Sequence, residues 1–361
     1  MLKKLKQATL SGLKRFGVFT LVQNSGWRRS RLLILAYHGV SLEDEHLWNP
    51  ALFMQPDYFR ARIELLNKLR YAVLPLDEAI RLLYTNDLPE NCAVLTFDDG
   101  YYDFYRVAYP ILKEFNFPAT IYLTTFYVHC NRPIFDAVCS YMLWKGKPTT
   151  LDLRSLTDQD RKLDTSHAAA RGAARDYLIR FVRRRKLPAE EKDAIAARLA
   201  RQLRIDYDEL CAKRMLSLLN PEEVRQLADE GVDIQLHTHH HQSPRNRQEF
   251  DLEVEENRIN IHQMTGRRAR HFCYPGGIFN DDLLAWLAEM RTVSATTCDP
   301  GLASSASNPL SLPRLVDTMS LSPIEFEGWL TGVAATFPRR RRTHNRRVKK
   351  YEMRPDISVH G

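Results

Sequence analysis

Two adjacent carboxylates at the end of an apolar run are the strongest constraint that this sequence places on its fold. Residues 96–100 read Thr-Phe-Asp-Asp-Gly and follow the apolar residues 92–95, a pattern that predicts a buried strand. Adjacent carboxylates repel each other and lose hydration on burial, so Asp98 and Asp99 need a shared cation or a proton there. The pair therefore predicts either a metal site or a protonated carboxyl at the end of a strand.

Candidate partners for a cation follow a second apolar stretch. Residues 232–236 also predict a strand and lead directly into His-Thr-His-His-His at 237–241. Two imidazoles and one carboxylate, with one position open for water, form a ligand set of catalytic zinc-type sites. The spacing allows His237 to act with His240 or with His241, and a histidine run can also be a solvated loop. Together the two motifs favour a metal-dependent hydrolase.

Strand and helix patterns alternate along most of the chain. The predicted strands are 32–37, 72–74, 92–95, 119–123, 232–236, 270–274, 292–296 and 312–316. This alternation predicts an α/β fold whose parallel sheet is closed or nearly closed into a barrel. Between about residues 128 and 219 the alternation stops, and segments rich in Ala, Arg, Lys and Asp predict a helical insertion.

Positive charge is concentrated at the two ends of the chain. The net charge is +8, with +8 in residues 1–31 and +7 in residues 338–361, which leaves −7 for the central body. Residues 1–30 predict a basic amphipathic segment, and residues 338–361 a basic disordered tail. The apolar residues of the first segment fall roughly on one helical face: Leu2, Leu5, Leu10, Leu13, Phe16 and Phe19. Such ends suit an anionic membrane surface better than nucleic acid, and solvated tails without a partner are the alternative.

The cellular compartment is predicted from cysteines and from the start of the chain. None of the six cysteines forms a Cys-x-x-Cys pair, which favours free thiols and a reducing compartment. No run of about 18 apolar residues predicts a membrane span, and the start lacks the cleavage site of a signal peptide. We expect a cytoplasmic protein that is peripheral at the membrane, with export to the cell envelope as the alternative.

These motifs resemble those of the NodB-like polysaccharide deacetylases, carbohydrate esterase family four. The pentad at 96–100 matches the first family motif, and His237-Thr238-x-x-His241 matches the second. Residues 272–277, Phe-Cys-Tyr-Pro-Gly-Gly, resemble the third motif of the branch that deacetylates poly-N-acetylglucosamine. The resemblance covers about residues 31–125 and 215–320. It implies that residues 31–337 form a distorted parallel β/α barrel, the NodB-homology deacetylase fold, with a helical insertion.

The resemblance also implies an activity and a cofactor. The activity is hydrolytic removal of N-acetyl groups from the amino sugars of a polysaccharide or its precursor. The cofactor is one divalent metal, zinc, with cobalt, nickel or iron as alternatives. A deacetylase of a lipid-linked sugar or small amide, and an inactive glycan-binding scaffold, are the alternative functions.

Residue roles follow from the resemblance. Asp99, His237 and His241 would bind the metal, and Asp98 would be the general base that takes a proton from the attacking water. The turn after the predicted strand at 270–274 would line the substrate, with a backbone N–H near Gly276 holding the oxyanion. The residues of this turn are Tyr274, Pro275, Gly276 and Gly277.

Two positions depart from the family pattern. Many members carry Arg in the third motif, where this chain has Cys273, and many carry Leu-x-His on a late strand, where residues 310–314 contain no His. The poly-N-acetylglucosamine branch shares both features and carries a His after the first strand. His38 matches that position and is the implied general acid, with His239 and His240 as alternatives. A core histidine is the structural alternative for His38.

Overall fold

The computed structural model describes residues 2–130, 132–147, 149–157 and 159–337. Its strands are β1 (Leu33–Tyr37), β2 (Gly39–Val40), β3 (Phe53–Met54), β4 (Ala72–Val73), β5 (Cys92–Asp99), β6 (Thr120–Leu123), β7 (Thr150–Asp152), β8 (Lys162–Asp164), β9 (Asp233–Leu236), β10 (His271–Cys273), β11 (Ser294–Thr296) and β12 (Leu315–Val316). Its α-helices are α1 (Leu2–Arg15), α2 (Val18–Gln23), α3 (Gly26–Arg29), α4 (Glu45–Trp48), α5 (Pro56–Lys68), α6 (Leu76–Thr85), α7 (Tyr109–Glu114), α8 (Phe135–Lys145), α9 (Ala168–Arg184), α10 (Ala189–Leu203), α11 (Tyr207–Ala212), α12 (Pro221–Asp229), α13 (Arg247–Thr265), α14 (Asp281–Glu289) and α15 (Pro323–Leu330).

One parallel sheet forms the framework of the fold. Its strand order is β11-β10-β9-β6-β5-β1-β12, and β4 pairs with β5 beside this path. Leu312, just before β12, forms a parallel bridge with Thr296 of β11, so the two ends of the curled sheet approach each other. The predicted α/β class with a nearly closed parallel barrel is confirmed.

The sheet is parallel because its strands are apolar on both faces and are covered by helices. Residues 92–98 of β5 are all buried, as expected for a central parallel strand. Helix α5 packs against the sheet through Phe59, Ile63 and Leu66, which are fully buried. Because parallel strands place their carboxyl ends at one edge, β1, β5, β9 and β10 deliver the sequence motifs to the same region.

Between β6 and β9 the alternation of strand and helix is interrupted, as predicted. Helices α8 to α11 enclose a second hydrophobic core, in which Leu178 of α9 and Leu199 of α10 are fully buried. A short antiparallel hairpin of β7 and β8 also lies in this segment. The sequence did not predict the hairpin because strands of three residues carry too little alternation to be recognised.

The N-terminal segment differs from the single amphipathic face that was predicted. Helix α1 ends at Arg15, and Gly17 with a φ of 76° separates it from α2. Leu10 is buried against α15 and its surroundings, whereas Leu5 and Phe16 are 64% and 82% exposed. One apolar side therefore packs on the body and another remains on the surface. The predicted disordered tail lies outside the described residues, and no described helix has the length and apolar character needed to cross a membrane.

Candidate metal centre

Two histidine side chains that follow one strand approach a single carboxylate oxygen at the end of another strand. Asp99 is the last residue of β5, and His237 and His241 follow β9. Asp99 Oδ1 lies 3.3 Å from His237 Nε2 and 3.1 Å from His241 Nε2. The structure therefore brings together the three predicted metal ligands, whose role stays a prediction.

The donor atoms of this group fit a divalent cation. Asp99 Oδ1 is buried and makes no hydrogen bond among the described residues, although two imidazole nitrogens lie beside it. His237 Nδ1 lies 2.8 Å from the backbone oxygen of Cys273, so a proton on Nδ1 leaves the Nε2 lone pair facing Asp99. Histidines that bind metals are commonly oriented in this way. The side chain of His241 is 43% exposed, which leaves the group accessible from solvent.

Left-handed backbone conformations shape the loops that carry these ligands. Asp99, Thr238 and His241 have φ values of 72°, 62° and 59°. Each such residue costs on the order of 1–3 kcal/mol, which the surrounding structure has to offset. Gly100 has a φ of 86°, and a Cβ atom there would lie 2.3 Å from Leu123 Cδ1. The presentation of the ligands therefore depends on the packing of the whole barrel end.

The second carboxylate of the pair is held by an arginine. Arg314 Nη1 and Nη2 donate to the two oxygens of Asp98 at 2.7 Å each, and both side chains are buried. Arg314 also donates to Thr96 Oγ1 at 3.1 Å and to the backbone oxygen of Thr297 at 3.0 Å. Cys273 Sγ lies 3.0 Å from Arg314 Nη2. The guanidinium that compensates Asp98 thus comes from the segment before β12 and not from the third motif.

This pairing sets the protonation of Asp98. Burial by itself would raise the pKa of the Asp98 carboxyl, but the charge and hydrogen bonds of Arg314 lower that pKa to about 2. Burial likewise opposes ionisation of Asp99, but His241 and His237 hold its pKa well below the usual range. Both carboxylates are therefore ionised at neutral pH, so one can bind a cation while the other accepts a proton.

The other three candidate histidines separate into two groups. His38, which follows β1, has its Nε2 3.9 Å from Asp98 Oδ2 and a side chain that is 18% exposed. His239 and His240, the alternative acids, instead contact glutamates of α13. His240 is thereby placed in a different group from His237, which favours His241 as the second imidazole at Asp99.

The turn after β10 carries the four residues that are predicted to contact substrate. Tyr274 is fully buried, and its hydroxyl donates to the backbone oxygen of Leu310 at 2.9 Å, so its side chain is a core residue. Pro275 is also buried. Gly276 is exposed and Gly277 half-buried, with φ values of 61° and 66°. Of these four residues the two glycines are therefore the accessible ones, and contact of the turn with substrate stays a prediction.

Sequence reasoning missed two buried residues that support the site. Asn257 of α13 accepts a hydrogen bond from the backbone N–H of His237 at 2.9 Å and donates to Thr125 Oγ1 at 2.9 Å. Arg314 holds Asp98, as described above. The sequence carries a signal for each residue, namely a charged or amide side chain within an otherwise apolar strand or helix face. Such a side chain is buried only when it is paired.

Comparison with known proteins shows which family this chain resembles. The family model described as polysaccharide deacetylase matches residues 85–148 and 192–293, which include Asp98, Asp99, His237 and His241. The protein YxkH of Bacillus subtilis (strain 168) is 36% identical over 95 residues, covering 26% of this chain and 32% of that protein. The poly-beta-1,6-N-acetyl-D-glucosamine N-deacetylase of Escherichia coli (strain K12) is 31% identical over 103 residues, covering 28% of this chain and 15% of that protein.

The curated relatives are thus matched over about a third of their length or less, whereas the fold is shared more widely. The Streptococcus pyogenes deacetylase PplD, solved in complex with acetate, aligns with 85% of this chain and 99% of its own. The TM-score is 0.55 at 20% sequence identity, which shows a common fold. The matched family model confirms the resemblance to the polysaccharide deacetylases, and the solved structure shows that the fold is shared.

Proposed function

We propose that this protein is a metal-dependent hydrolase that removes N-acetyl groups from the amino sugars of a polysaccharide or its precursor. One observation carries the proposal: Asp99 Oδ1 and two imidazole nitrogens converge beside a second, ionised carboxylate. A binding module has no use for a proton acceptor next to a cation site. The arrangement suits amide hydrolysis, in which water attacks a carbonyl carbon and an amine leaves.

Metal binding and proton acceptance are assigned to different residues of the site. Asp99, His237 and His241 would hold a divalent cation, which when bound lowers the pKa of water and polarises a carbonyl. Asp98, fixed by two hydrogen bonds from Arg314, accepts the proton of the attacking water.

The later steps need a hydrogen-bond donor and an acid. The exposed backbone at Gly276 donates to the carbonyl oxygen, and a glycine there permits close approach of the substrate. His38 donates a proton to the departing nitrogen, so that acetate and a free amine are the products.

The metal and the glycan are proposed from chemistry. A donor set of two imidazoles and one carboxylate suits zinc best, and cobalt, nickel and iron also bind such sites. The name of the E. coli relative supports N-acetylglucosamine polymers as the first substrates to test. The two glycines at an open barrel end fit an extended chain of sugars better than a small enclosed amide.

Replacing His237 with Ala tests metal dependence and function together. Removal of one of three ligands is expected to abolish metal binding at this group, which is a loss of one equivalent, together with acetate release from N-acetylglucosamine oligomers. Metal content by elemental analysis and acetate release are measured on the same preparation. His262→Ala is the matched control, because His262 is exposed on α13 and belongs to none of the candidate ligand groups among the described residues. Full metal occupancy in His237→Ala would refute the ligand assignment, and a metal-loaded wild type without acetate release would refute the substrate class.

We further propose that the N-terminal helices attach the protein peripherally to an anionic membrane, on the cytoplasmic side. Lys6 and Lys14 of α1 pair with glutamates of α15, so this side of the helix is used by the body. Leu5 of α1 and Phe16, just after α1, lie on the side away from α15. Lys4 and Arg15 are also exposed. Apolar and basic side chains on one outward face are typical of helices that bind anionic lipid surfaces.

A double substitution tests this surface better than truncation does. Deleting α1 would uncover the residues that pack around Leu10, whereas Leu5→Ser with Phe16→Ser changes exposed positions only. Loss of two apolar contacts is expected to weaken binding to vesicles containing an anionic lipid at least about tenfold, and turnover on soluble oligomers should be unchanged. Leu252→Ser, at a residue 55% exposed on α13, is the control. Equal vesicle sedimentation of the double variant and wild type would contradict the proposal, and cell fractionation checks the compartment.

A further inference from the structure

A second cluster of metal-type ligands lies between the loop after β9 and helix α13. The side chains of His239, His240 and Glu256 each offer one ligand atom, and these atoms all lie within 4.8 Å of one another. His239 Nε2 is 3.9 Å from Glu256 Oε2. The histidines come from the loop after β9, while the glutamate comes from α13. The cluster shares no residue with the group at Asp99.

Each imidazole of this cluster is already oriented through its other nitrogen. His239 Nδ1 lies 2.9 Å from Thr125 Oγ1, and His240 Nδ1 lies 2.8 Å from Glu253 Oε1. With the ring protons on Nδ1, both Nε2 atoms keep their lone pairs for a ligand. Histidines in metal sites commonly have such hydrogen bonds, which fix the tautomer and the ring plane.

The backbone that carries these histidines is also fixed. His239 N–H donates to the backbone oxygen of Glu253 at 3.0 Å, and His240 N–H donates to Glu253 Oε2 at 2.8 Å. The ring of Phe126 packs on the His240 ring with centroids 4.3 Å apart. A cation therefore meets ligands that are held in place and need little reorganisation.

We propose that His239, His240 and Glu256 form a second divalent-cation site of the zinc type. Two imidazoles and one carboxylate suit zinc, and the 50% exposure of Glu256 leaves room for water as a further ligand. A cation there joins the loop after β9 to α13. Because His237 and His241 lie on the same loop, this cation braces the segment that presents the first ligand group without taking part in the reaction.

Zinc titration of the full-length protein, after removal of metal with a chelator, tests the proposal. We expect two equivalents of Zn²⁺ per wild-type chain and one tight equivalent in Glu256→Gln, whose second dissociation constant rises at least about tenfold. Glu255→Gln is the matched control, because Glu255 is 48% exposed on the same helix but contacts Arg258. It should keep both equivalents. His240→Gln removes a different ligand and should also lose one equivalent.

The outcome does not depend on the proposed deacetylase activity. If the group at Asp99 did not bind zinc, wild type would take up one equivalent, and Glu256→Gln would still remove it. His237→Ala should keep one equivalent that disappears when Glu256→Gln is added. Equal zinc uptake by wild type, Glu256→Gln and His240→Gln, each shown to be folded by circular dichroism, would overturn the proposal. Loss of zinc from Glu255→Gln as well would also overturn it, since it would indicate binding to surface carboxylates in general.

Discussion

Asp98→Asn is expected to retain the bound metal and to lower turnover about 100-fold or more, which is the typical effect of losing a general base. An amide keeps the size and one oxygen of the carboxylate but cannot accept the proton of the attacking water. The ligand group at Asp99 is unchanged. The measurements are kcat for acetate release and metal content per chain on the same sample.

The control for this variant has to separate chemistry from folding. Asn at this position leaves the buried Arg314 without its anion, and breaking a buried ion pair costs on the order of 3–5 kcal/mol. The assay is therefore run well below the Tm of the variant. Asp103→Asn is the comparison, because Asp103 is likewise buried and burial raises the pKa of its carboxyl well above the usual range. Near-normal turnover in Asp98→Asn would exclude Asp98 as the general base. Loss of metal would mean that Asp98 is the metal ligand and Asp99 the base.

The difference in stability between wild type and Asp98→Asn is expected to depend on pH. The pKa of Asp98 is about 2 in the folded protein and about 3.9 in an unfolded chain. A depressed folded-state pKa stabilises the fold above pH 4, and this contribution is lost as pH falls from about 4 toward 2. The difference in unfolding free energy between wild type and Asp98→Asn should therefore be full at pH 7 and shrink toward pH 2. Urea unfolding at pH 7 and pH 3 measures it.

The sequence predicts those parts of the site that lie within short, contiguous segments. The apolar run before Asp98 and Asp99 and the run before His237 place both motifs at strand ends, and parallel strands put those ends together. Family pattern then selected His241 over His240. These inferences need only local periodicity and one rule of parallel sheets.

The parts that escaped prediction depend on contacts between distant segments. Arg314 meets Asp98 although β1 separates β12 from β5 in the curled sheet, and no local pattern encodes this contact or the closure of the sheet. Tyr274 belongs to a motif that suggests substrate contact, yet its hydroxyl reaches Leu310 across the same closure. The predicted apolar face of residues 2–19 is interrupted because α1 ends before Gly17, whose φ is positive. Phe16 is therefore exposed.

His38→Ala is expected to keep the metal and to lower turnover by roughly 100-fold or more. Expulsion of an amine requires a proton, because an amide anion is a very poor leaving group. His38 Nε2 lies 3.9 Å from Asp98 Oδ2, at the edge of the site and partly open to solvent. His239 and His240 contact glutamates of α13 instead, which favours His38 over these two candidates. The rate and its pH dependence are measured from acetate release on soluble oligomers.

The pH profile distinguishes a lost acid from a disturbed site. The alkaline limb of a hydrolase of this type reports loss of the proton that the acid must donate, so His38→Ala should flatten that limb as well as lower the rate. A merely structural role would lower the rate and leave the limb in place. His46→Ala is the control, because His46 lies close by along the chain but contacts Ser41 and not Asp98. Retention of both the rate and the alkaline limb in His38→Ala would show that the departing amine takes its proton from another donor.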